Sequence, residues 1–403
     1  MKANGIDSRY AWWRLLASVA LSTVGGAGMW SLTVAIPAVQ TDFGITRADI
    51  SFAYTMNTMG FFAGGILIGR LVDRRGIVFA SILSAIGLSA GFAVAPLATS
   101  LVPFALAQAL IGFSSAATFA PLVADISHWF DKRRGIAVAI AASGNYVAGA
   151  LWPPIVGWII GAHGWRTMSV SAAVLAIVTM IPLALMLRRR APDHAETTLV
   201  RVARQSREAL GLSPNALQGV IFMMGIGCCV AMSMPQVHIV AYCSDLGYGV
   251  ARGAEMLSLM LGFGIISRVA SGWIADKVGG LRTLLLGAIL QGIALAFYLV
   301  DDKLTSLYIA SALFGLFQGG IVPSYAIIVR EYFPSSEAAT RVGLAVSATL
   351  LGMALGGWMG GVLFDWTGSY RAAFINGIAW NLLNGAVAWW LLLRQNRRNV
   401  YAS

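Results

Sequence analysis

The chain has 403 residues, of which 58% are hydrophobic and only 11% are charged, and its mean hydropathy is +0.75. Soluble globular domains carry about 25% charged residues, so this composition excludes that class and indicates a protein that crosses a membrane many times. The net charge of +11 does not indicate nucleic-acid binding, because the basic residues lie at the ends of apolar segments, as they do in membrane proteins.

Twelve apolar segments are each about long enough to span a bilayer as a helix. They cover about 12–38, 49–70, 77–97, 101–125, 135–161 and 166–187 in the first set and 215–241, 254–274, 281–300, 304–329, 341–364 and 371–393 in the second. A long polar stretch separates the two sets. The pattern predicts an all-α polytopic membrane protein with 12 transmembrane helices in two pseudo-symmetric bundles: a six-helix bundle over 1–187, a cytoplasmic linker over 188–212 and a second six-helix bundle over 213–403.

The basic residues predict the orientation of the chain. An even number of spans places both termini on one side, and alternating assignment of the loops puts most of the 28 Lys and Arg on that side. The exceptions are Arg268, within a span, and five residues on the opposite side: Arg47, Arg166, Arg252, Lys303 and Arg371. Because cytoplasmic loops are enriched in Lys and Arg, we expect cytoplasmic termini in a multi-pass protein of the cell membrane, specifically a bacterial inner membrane. We also expect a monomer within the lipid bilayer.

Two charged turns repeat along the chain. Gly69-Arg-Leu-Val-Asp-Arg-Arg-Gly76 has its counterpart in Gly272-Trp-Ile-Ala-Asp-Lys-Val-Gly279, at an offset of 203 residues (272 − 69). Trp129-Phe130 recurs as Tyr332-Phe333 at the same offset (332 − 129). The spacing predicts two six-helix units repeated in parallel, and transporters built in this way bind substrate near the bilayer midplane, between the halves.

Twelve spans, a long central loop and paired Gly-x-x-x-Asp-Arg/Lys-x-Gly turns resemble the major facilitator superfamily over the whole chain. The resemblance implies that Asp73 and Arg74, with Asp276 and Lys277 in the repeat, gate a carrier on its cytoplasmic side. We expect each aspartate to lie beside the start of the following span, where a carboxylate can accept hydrogen bonds from free helix N–H groups.

Three stretches look like those of the monocarboxylate transporter group and the related bacterial oxalate/formate antiporters: His128-Trp-Phe-Asp-Lys-Arg-Arg-Gly135, Gln236-Val-His-Ile-Val-Ala-Tyr242 and Arg268-Val-Ala-Ser-Gly272. In that group the arginine of the last stretch binds the carboxylate of the substrate. The chain departs from the group at Gly264, where eukaryotic members carry an aspartate, and at Phe119, where bacterial members often carry a tyrosine.

Arg268 is the only charged residue between Leu257 and Trp273. An arginine at the centre of a membrane costs about 3 kcal/mol on insertion scales, so a chain retains one that faces a watery cavity or an anionic partner. The guanidinium stays protonated and can donate two parallel hydrogen bonds to a carboxylate. Gly264 and Gly272, about one helical turn away on either side, are expected to leave it room. We therefore expect Arg268 to bind a substrate carboxylate; pairing with backbone carbonyls or a protein acid is the alternative.

Few residues within the spans could carry a proton. Histidine side chains in general titrate near neutral pH, and Asp125 lies at the cytoplasmic end of a span, so His238 and Asp125 are the candidate proton carriers. A packed core histidine is the alternative for His238. Polar and aromatic residues inside spans are candidates for substrate binding and equally for helix packing; they are Tyr54, Asn57, Phe119, Asn145, Tyr146, Gln318, Tyr325 and Asn376.

The sequence shows no phosphate-binding loop, no metal-ligand spacing among its four histidines and no Gly-x-Ser-x-Gly motif. We therefore expect no enzyme, cofactor, metal or nucleic acid. The favoured function is a proton-coupled symporter of a small organic anion, a monocarboxylate, working by alternating access. One alternative is a carboxylate/carboxylate antiporter, which the lack of a basic residue between Val342 and Phe364 disfavours for dianions. Another, of a different class, is a non-transporting membrane sensor with a carrier fold.

Overall fold

A computed structural model describes residues 6–130, 133–189 and 211–402, and the regular elements of these ranges are all helical. The N-terminal half contains α1 (Arg9–Gly25), α2 (Ala27–Phe43), α3 (Arg47–Arg75), α4 (Ile77–Val94), α5 (Leu101–Ser115), α6 (Ala120–Ser127) and α7 (Arg134–Leu185). The C-terminal half contains α8 (Pro214–Asp245), α9 (Val250–Val278), α10 (Gly280–Phe297), α11 (Leu304–Gln318), α12 (Ile321–Tyr332), α13 (Ser335–Thr367) and α14 (Tyr370–Ala402). Most of the expected linker, and Asp131 and Lys132 of the motif that begins at His128, lie outside the described residues.

Nine helical stretches of the described chain are long and apolar enough to cross a membrane. One of them, Gly135–Leu185, holds two expected spans, because the chain turns at Gly164, where φ is +81°. The expected spans 49–70 and 371–393 lie within α3 and α14, which are helical throughout but more polar than those nine stretches. The all-α, multi-span architecture predicted from the sequence is confirmed.

The repeat continues from the turns into the helices. The pairs α3 and α9, α4 and α10, and α5 and α11 have equal lengths of 29, 18 and 15 residues. Each second member begins 203 positions after the first (250 − 47, 280 − 77 and 304 − 101). Three consecutive elements therefore repeat without an insertion or a deletion.

The last glycine of each repeated turn is required by the backbone. Gly76 has φ +85° and Gly279 has φ +88°, a region that residues with a Cβ rarely adopt. The N–H of Gly76 donates to the carbonyl of Val72 (2.7 Å), and the N–H of Gly279 donates to that of Ala275 (2.9 Å). These glycines end one helix and let the next begin at the following residue.

The helices group into two compact units, each with more contacts within itself than with the other. The first unit comprises Met1–Ala195 with His238–Gly262, and the second comprises Glu196–Val237 with Phe263–Ser403. In the first unit one buried cluster includes Leu21, Leu88, Ile111 and Met180. The domain boundaries expected at the linker stay a prediction.

The segment His238–Gly262 belongs to the C-terminal half of the sequence but packs within the first unit. Its contacts with α7 use small residues: the Ser258 hydroxyl donates to the carbonyl of Ala150, and a Cβ on Gly157 would lie 3.2 Å from the Cβ of Ala254. Small side chains allow such close helix packing where lipid, rather than water, surrounds the protein.

Candidate functional site

The expected site residues are divided between the two units. The second unit holds Arg268, Gln318, Tyr325, Asp276 and Lys277. The first unit holds His238, Asp125, Phe119, Tyr146, Asn145, Tyr54, Asn57, Asp73 and Arg74.

Arg268 lies in the second half of α9 and is partly exposed. On one side of it Gly272 is open, with no atom within 4 Å of where its Cβ would be. On the other side Gly264 is covered, because a Cβ on Gly319 would lie 3.0 Å from the Cα of Gly264. The expectation that both glycines leave room is thus wrong for Gly264, which instead lets another helix approach. The free space beside Arg268 lies on the Gly272 side.

The chain that covers Gly264 is the junction of two helices in the tenth expected span. Helix α11 ends at Gln318 and α12 begins at Ile321, and Gly319 and Gly320 lie between them. A Cβ on Gly319 would lie 2.9 Å from the Cβ of Ser267, and one on Gly320 would collide with the side chain of Ser271. Because the backbone here rests directly on α9, only glycine fits at these two positions. Both glycines keep right-handed helical φ and ψ, so the tenth span continues through them as a single helical path.

The first unit has a break at the equivalent position, between α5 and α6. Helix α5 ends at Ser115, and a single 3-10 turn over Ala116–Thr118 leads to Phe119, which is partly exposed. The hydroxyl of Ser115 donates to the backbone carbonyl of Ile111 (2.9 Å), and the hydroxyl of Thr118 donates to the backbone carbonyl of Ser115 (2.7 Å). The polar side chains of this break are therefore paired locally.

Gln318 and Tyr325 flank the junction in the second unit and are 0% and 1% exposed. The Tyr325 hydroxyl donates to Oδ1 of Asn384 on α14 (3.2 Å). Asn384 escaped the sequence reasoning, although a polar residue within an apolar segment was a signal that could have found it. Asn376, on the same helix, is partly exposed.

The aromatic and amide candidates of the first unit lie among its packed helices. Asn57 uses both hydrogens of its Nδ2, which donates to the carbonyl of Gly28 (3.0 Å) and to Oε1 of Gln108 (3.1 Å). These bonds join α2, α3 and α5, which is the behaviour of a packing residue. A second set lies along the same interior: Tyr54 and Tyr146 are 2% and 5% exposed, and the backbone carbonyl of Asn145 accepts from Trp30 Nε1 (3.2 Å). Their binding roles stay predictions.

Asp125 forms a buried ion pair with Arg14 of α1. Both distances, Nε to Oδ2 and Nη2 to Oδ1, are 2.7 Å, and the side chains are 11% and 1% exposed. Nη1 of Arg14 also donates to the carbonyls of Leu187 and Arg189, each at 3.0 Å. Sequence reasoning did not single out Arg14, although it lies inside the first apolar segment. The pair therefore uses both oxygens of Asp125 to hold Arg14.

His238 lies in α8, three residues after Pro235, and is 0% exposed. A ring without solvent contact can exchange a proton only when the surrounding helices separate. The position therefore suits either a packed core residue or a proton carrier that is loaded in another conformation, and the role stays a prediction.

The four expected gating residues are exposed at the ends of α3 and α9. Asp276 lies inside the last turn of α9 and does not cap the next helix. Glu331 of α12 does so instead, since its Oε1 accepts from the N–H of Gly280 at 2.8 Å. Lys277 lies over the ring of Trp273, with Nζ 3.6 Å from the centroid. No side chain caps the start of α4 after Asp73 either. The capping expected of Asp73 and Asp276 is thus wrong, and the gating role of both stays a prediction.

Comparison with known proteins connects these features to a family. The model of the Major Facilitator Superfamily matches residues 19–301 and 258–402. Monocarboxylate transporter 13 of Rattus norvegicus is 28% identical over 328 residues, which are 81% of this chain and 74% of that protein. Monocarboxylate transporter 11 of Mus musculus is 26% identical over 396 residues, which are 92% of this chain and 84% of that protein.

Solved structures show the same fold. A bacterial homolog of the human lysosomal transporter Spinster, inward-facing and unoccupied, aligns with a TM-score of 0.75 at 16% identity over 96% of this chain and 98% of its own. The nucleoside transporter NupG aligns with a TM-score of 0.74 at 13% identity over 94% of this chain and 99% of its own. The chain is a multi-pass secondary transporter, not an enzyme, and it belongs to the Major Facilitator Superfamily.

Proposed function

We propose that the chain is a proton-coupled symporter that moves a small organic anion, a monocarboxylate, by alternating access. The anion binds to Arg268, and the proton binds to His238. The termini face the cytoplasm of the cell, and the carrier works as a monomer. The bacterial inner membrane expected from the sequence stays a prediction, since the relatives compared above are mammalian.

One observation carries the substrate class: a guanidinium lies in the apolar stretch of a spanning helix, beside open space at Gly272. A charged side chain within the membrane is energetically costly, so proteins usually retain one only where it faces a substrate or ion pathway. Guanidinium geometry matches a carboxylate with two parallel hydrogen bonds. The names of the two mammalian relatives support a monocarboxylate over other anions.

The choice of His238 over Asp125 as the proton carrier rests on their surroundings. Asp125 holds Arg14 through both oxygens, and that pair also fixes two backbone carbonyls after α7. Breaking it in every cycle would disturb the first unit itself. His238 begins the segment His238–Gly262, which comes from the C-terminal half of the sequence but packs against α7 of the N-terminal half. Because alternating access rocks one repeat against the other, we expect the surroundings of His238 to change in each cycle.

Uptake by purified protein in liposomes tests the proposal. A labelled monocarboxylate should accumulate when the outer pH is lower than the inner pH, and Arg268→Gln should abolish both binding and uptake. Arg268→Lys should impair binding severely, because an ammonium is a point charge without the planar fork. The matched control is Arg252→Gln on the same helix, where the exposed arginine pairs with Glu255 at 2.9 Å and the loss should be small.

Two results would count against the proposal. Wild-type affinity for the carboxylate in Arg268→Gln would remove its substrate site. Uptake that needs a second carboxylate inside the vesicles, and not a pH gradient, would indicate the antiporter instead.

A further inference from the structure

The second unit contains a polar cavity of about 270 Å³ that the proposed transport cycle does not use. Its walls are the end of α9 at Val278, the start of α10 at Arg282, the end of α12 at Glu331 and Tyr332, and Gln395 of α14. The cavity reaches the surface, because Arg282 is exposed. Ligand pockets start at about 300 Å³, so this volume suits a small polar ligand or the headgroup of a lipid.

Four side chains bring polar groups to this cavity that no described residue pairs. Within the described chain, Arg282 makes no ion pair or hydrogen bond, and neither the hydroxyl of Tyr332 nor the amide of Gln395 has a hydrogen-bond partner. Glu331 accepts from the N–H of Gly280 through Oε1 (2.8 Å), whereas its Oε2 has no partner among the described residues. None of these groups is enclosed by protein atoms, so a ligand can reach each of them.

Arg282 and Glu331 carry opposite charges but form no ion pair with each other, although both line this cavity. An acid and a base that served only to stabilise the fold would be expected to pair directly, as Arg14 and Asp125 do at 2.7 Å in the first unit. A simple anion here would be repelled by Glu331, and a simple cation by Arg282. The separated charges therefore fit a ligand that carries one charge of each sign.

The cavity lies where three spanning helices leave the apolar part of the membrane. The apolar stretches Val250–Val278 and Leu304–Tyr332 end beside it, and Gly280–Phe297 begins there. Two exposed tryptophans lie near the same helix ends: Lys277 Nζ is 3.6 Å from the ring centroid of Trp273, and the guanidinium carbon of Arg394 is 4.8 Å from that of Trp390. Tryptophan is enriched at the level of the lipid headgroups, which places the cavity at that depth.

We propose that this cavity binds the zwitterionic headgroup of an aminophospholipid, which is a phosphate ester that carries a primary ammonium group. The guanidinium of Arg282 holds the phosphate. Oε2 of Glu331 accepts from the ammonium, while Oε1 stays on the N–H of Gly280. The hydroxyl of Tyr332 and the amide of Gln395 can donate to further phosphate oxygens. A quaternary ammonium has no N–H to donate to Glu331, so a choline headgroup fits less well.

Thermal unfolding of the purified full-length protein in detergent tests the proposal. The probes are phosphatidylethanolamine, phosphatidylcholine and phosphatidylglycerol with identical acyl chains. A ligand that binds only the folded state raises the unfolding temperature with its concentration, and phosphatidylethanolamine should do so at the lowest concentration. O-phosphoethanolamine, which has the headgroup without the acyl chains, identifies the source of the ligand. If it stabilises the protein as well as the lipid does, the same chemistry is supplied by a soluble phosphate ester.

Two variants should change lipid binding in different ways. Arg282→Gln removes the phosphate contact that all three lipids share, so it should weaken each about fivefold, as one partly exposed ion pair implies, and keep their order. Glu331→Gln keeps an acceptor oxygen for Gly280 but loses the charge, so phosphatidylethanolamine should bind no better than phosphatidylcholine. Arg330→Gln is the matched control, because this arginine precedes Glu331, is exposed and does not line the cavity.

Three results would overturn the proposal. Equal stabilisation of the wild type by phosphatidylethanolamine and phosphatidylcholine, or by phosphatidylethanolamine and phosphatidylglycerol, would show that the ammonium is not recognised, and this comparison needs no variant. Retention of the preference in Glu331→Gln would remove the role of its carboxylate. Weakening in Arg330→Gln equal to that in Arg282→Gln would indicate general surface charge. Arg268 does not line this cavity, so none of these results bears on the proposed transport function.

Discussion

The guanidinium of Arg47, at the start of α3, binds the carboxylate of Asp245, at the end of α8, with Nη2 3.1 Å from each oxygen. The Arg47 side chain is 5% exposed and that of Asp245 is 34% exposed. The two residues come from different halves of the sequence but lie in one compact unit. In the alternating-access cycle that we propose, one repeat rocks against the other, and we expect a contact of this kind to break in each cycle. We therefore expect the pair to stabilise one end state of that proposed cycle.

Asp245→Asn should weaken this contact. The expected change is about 1 kcal/mol, since Asp245 is one-third exposed and the pair is screened by water. The population in which His238–Gly262 is separated from α7 should then rise about fivefold. Labelling of a cysteine at Ser258, in a protein whose three native cysteines are replaced, measures that population with a membrane-impermeant maleimide. Glu255→Gln, which removes an exposed carboxylate from the same segment, is the control. An equal rise in labelling in Glu255→Gln would show that the Arg47–Asp245 pair does not specifically stabilise this contact.

The buried pair of Arg14 and Asp125 should contribute more to stability than an exposed pair of the same length. Its N–O distance of 2.7 Å equals that between Arg166 and Asp42, whose side chains are 44% and 36% exposed. Asp125→Asn leaves a buried guanidinium without its counter-charge and should lower the free energy of unfolding by about 3–5 kcal/mol. Asp42→Asn should cost less than about 1 kcal/mol. Thermal unfolding in detergent measures both.

One result would contradict a structural role for the pair of Arg14 and Asp125. If Asp125→Asn unfolds at the wild-type temperature but loses the pH dependence of uptake, then Asp125 carries the proton and the pair is not a structural tie.

The spacing of two turns predicted much of the fold. The offset between Gly69 and Gly272 extends through three pairs of helices of equal length. It is readable in the sequence because the turns need glycine at fixed positions: positive φ at Gly76 and Gly279 leaves little choice of residue. Hydropathy located the spans for a similarly direct reason, since a bilayer requires a minimum apolar length.

What the sequence did not show depends on contacts between distant residues. Arg14 looked like one more basic residue near a terminus, because its partner is 111 positions away. Gly319 and Gly320 looked like ordinary residues of one apolar span, although they are the positions at which that span packs directly on α9. Glu331 caps a helix that begins 51 positions before it, so the nearer Asp276 was the natural but wrong choice.

Variants of Glu331 and Asp276 should distinguish a contribution to stability from a role in gating. The Glu331 carboxylate accepts from Gly280 at the positive end of the α10 dipole, so Glu331→Gln should cost about 0.3–1 kcal/mol of unfolding free energy. Asp276→Asn removes an exposed charge and should leave the unfolding temperature unchanged. If Asp276 gates the carrier, the same variant should still raise cysteine labelling on the cytoplasmic side. Asp73→Asn in the repeat should behave alike, and unchanged labelling with unchanged transport in both variants counts against the gating role.

His238 should account for the pH dependence of uptake. As the external pH falls through the range in which histidine titrates, the ring gains a proton whenever it opens to the outside. If an anion then occupies Arg268, one positive and one negative charge cross together, and the step needs no membrane potential. Uptake by the wild type should therefore rise as the external pH falls.

His238→Gln preserves a polar side chain at this fully buried position and cannot titrate, so it should flatten the pH dependence while substrate binding at Arg268 persists. His163→Ala is the control, because that histidine is exposed on α7 with its ring 6.2 Å from Trp158, and its loss should leave the pH profile intact. Uptake measured from pH 5 to 8, the range that histidine can report, decides the matter. Suppose His238→Gln still accumulates substrate fully against a pH gradient. His238 is then a packing residue, and the proton travels on Asp125 or on the carboxyl group of the substrate itself.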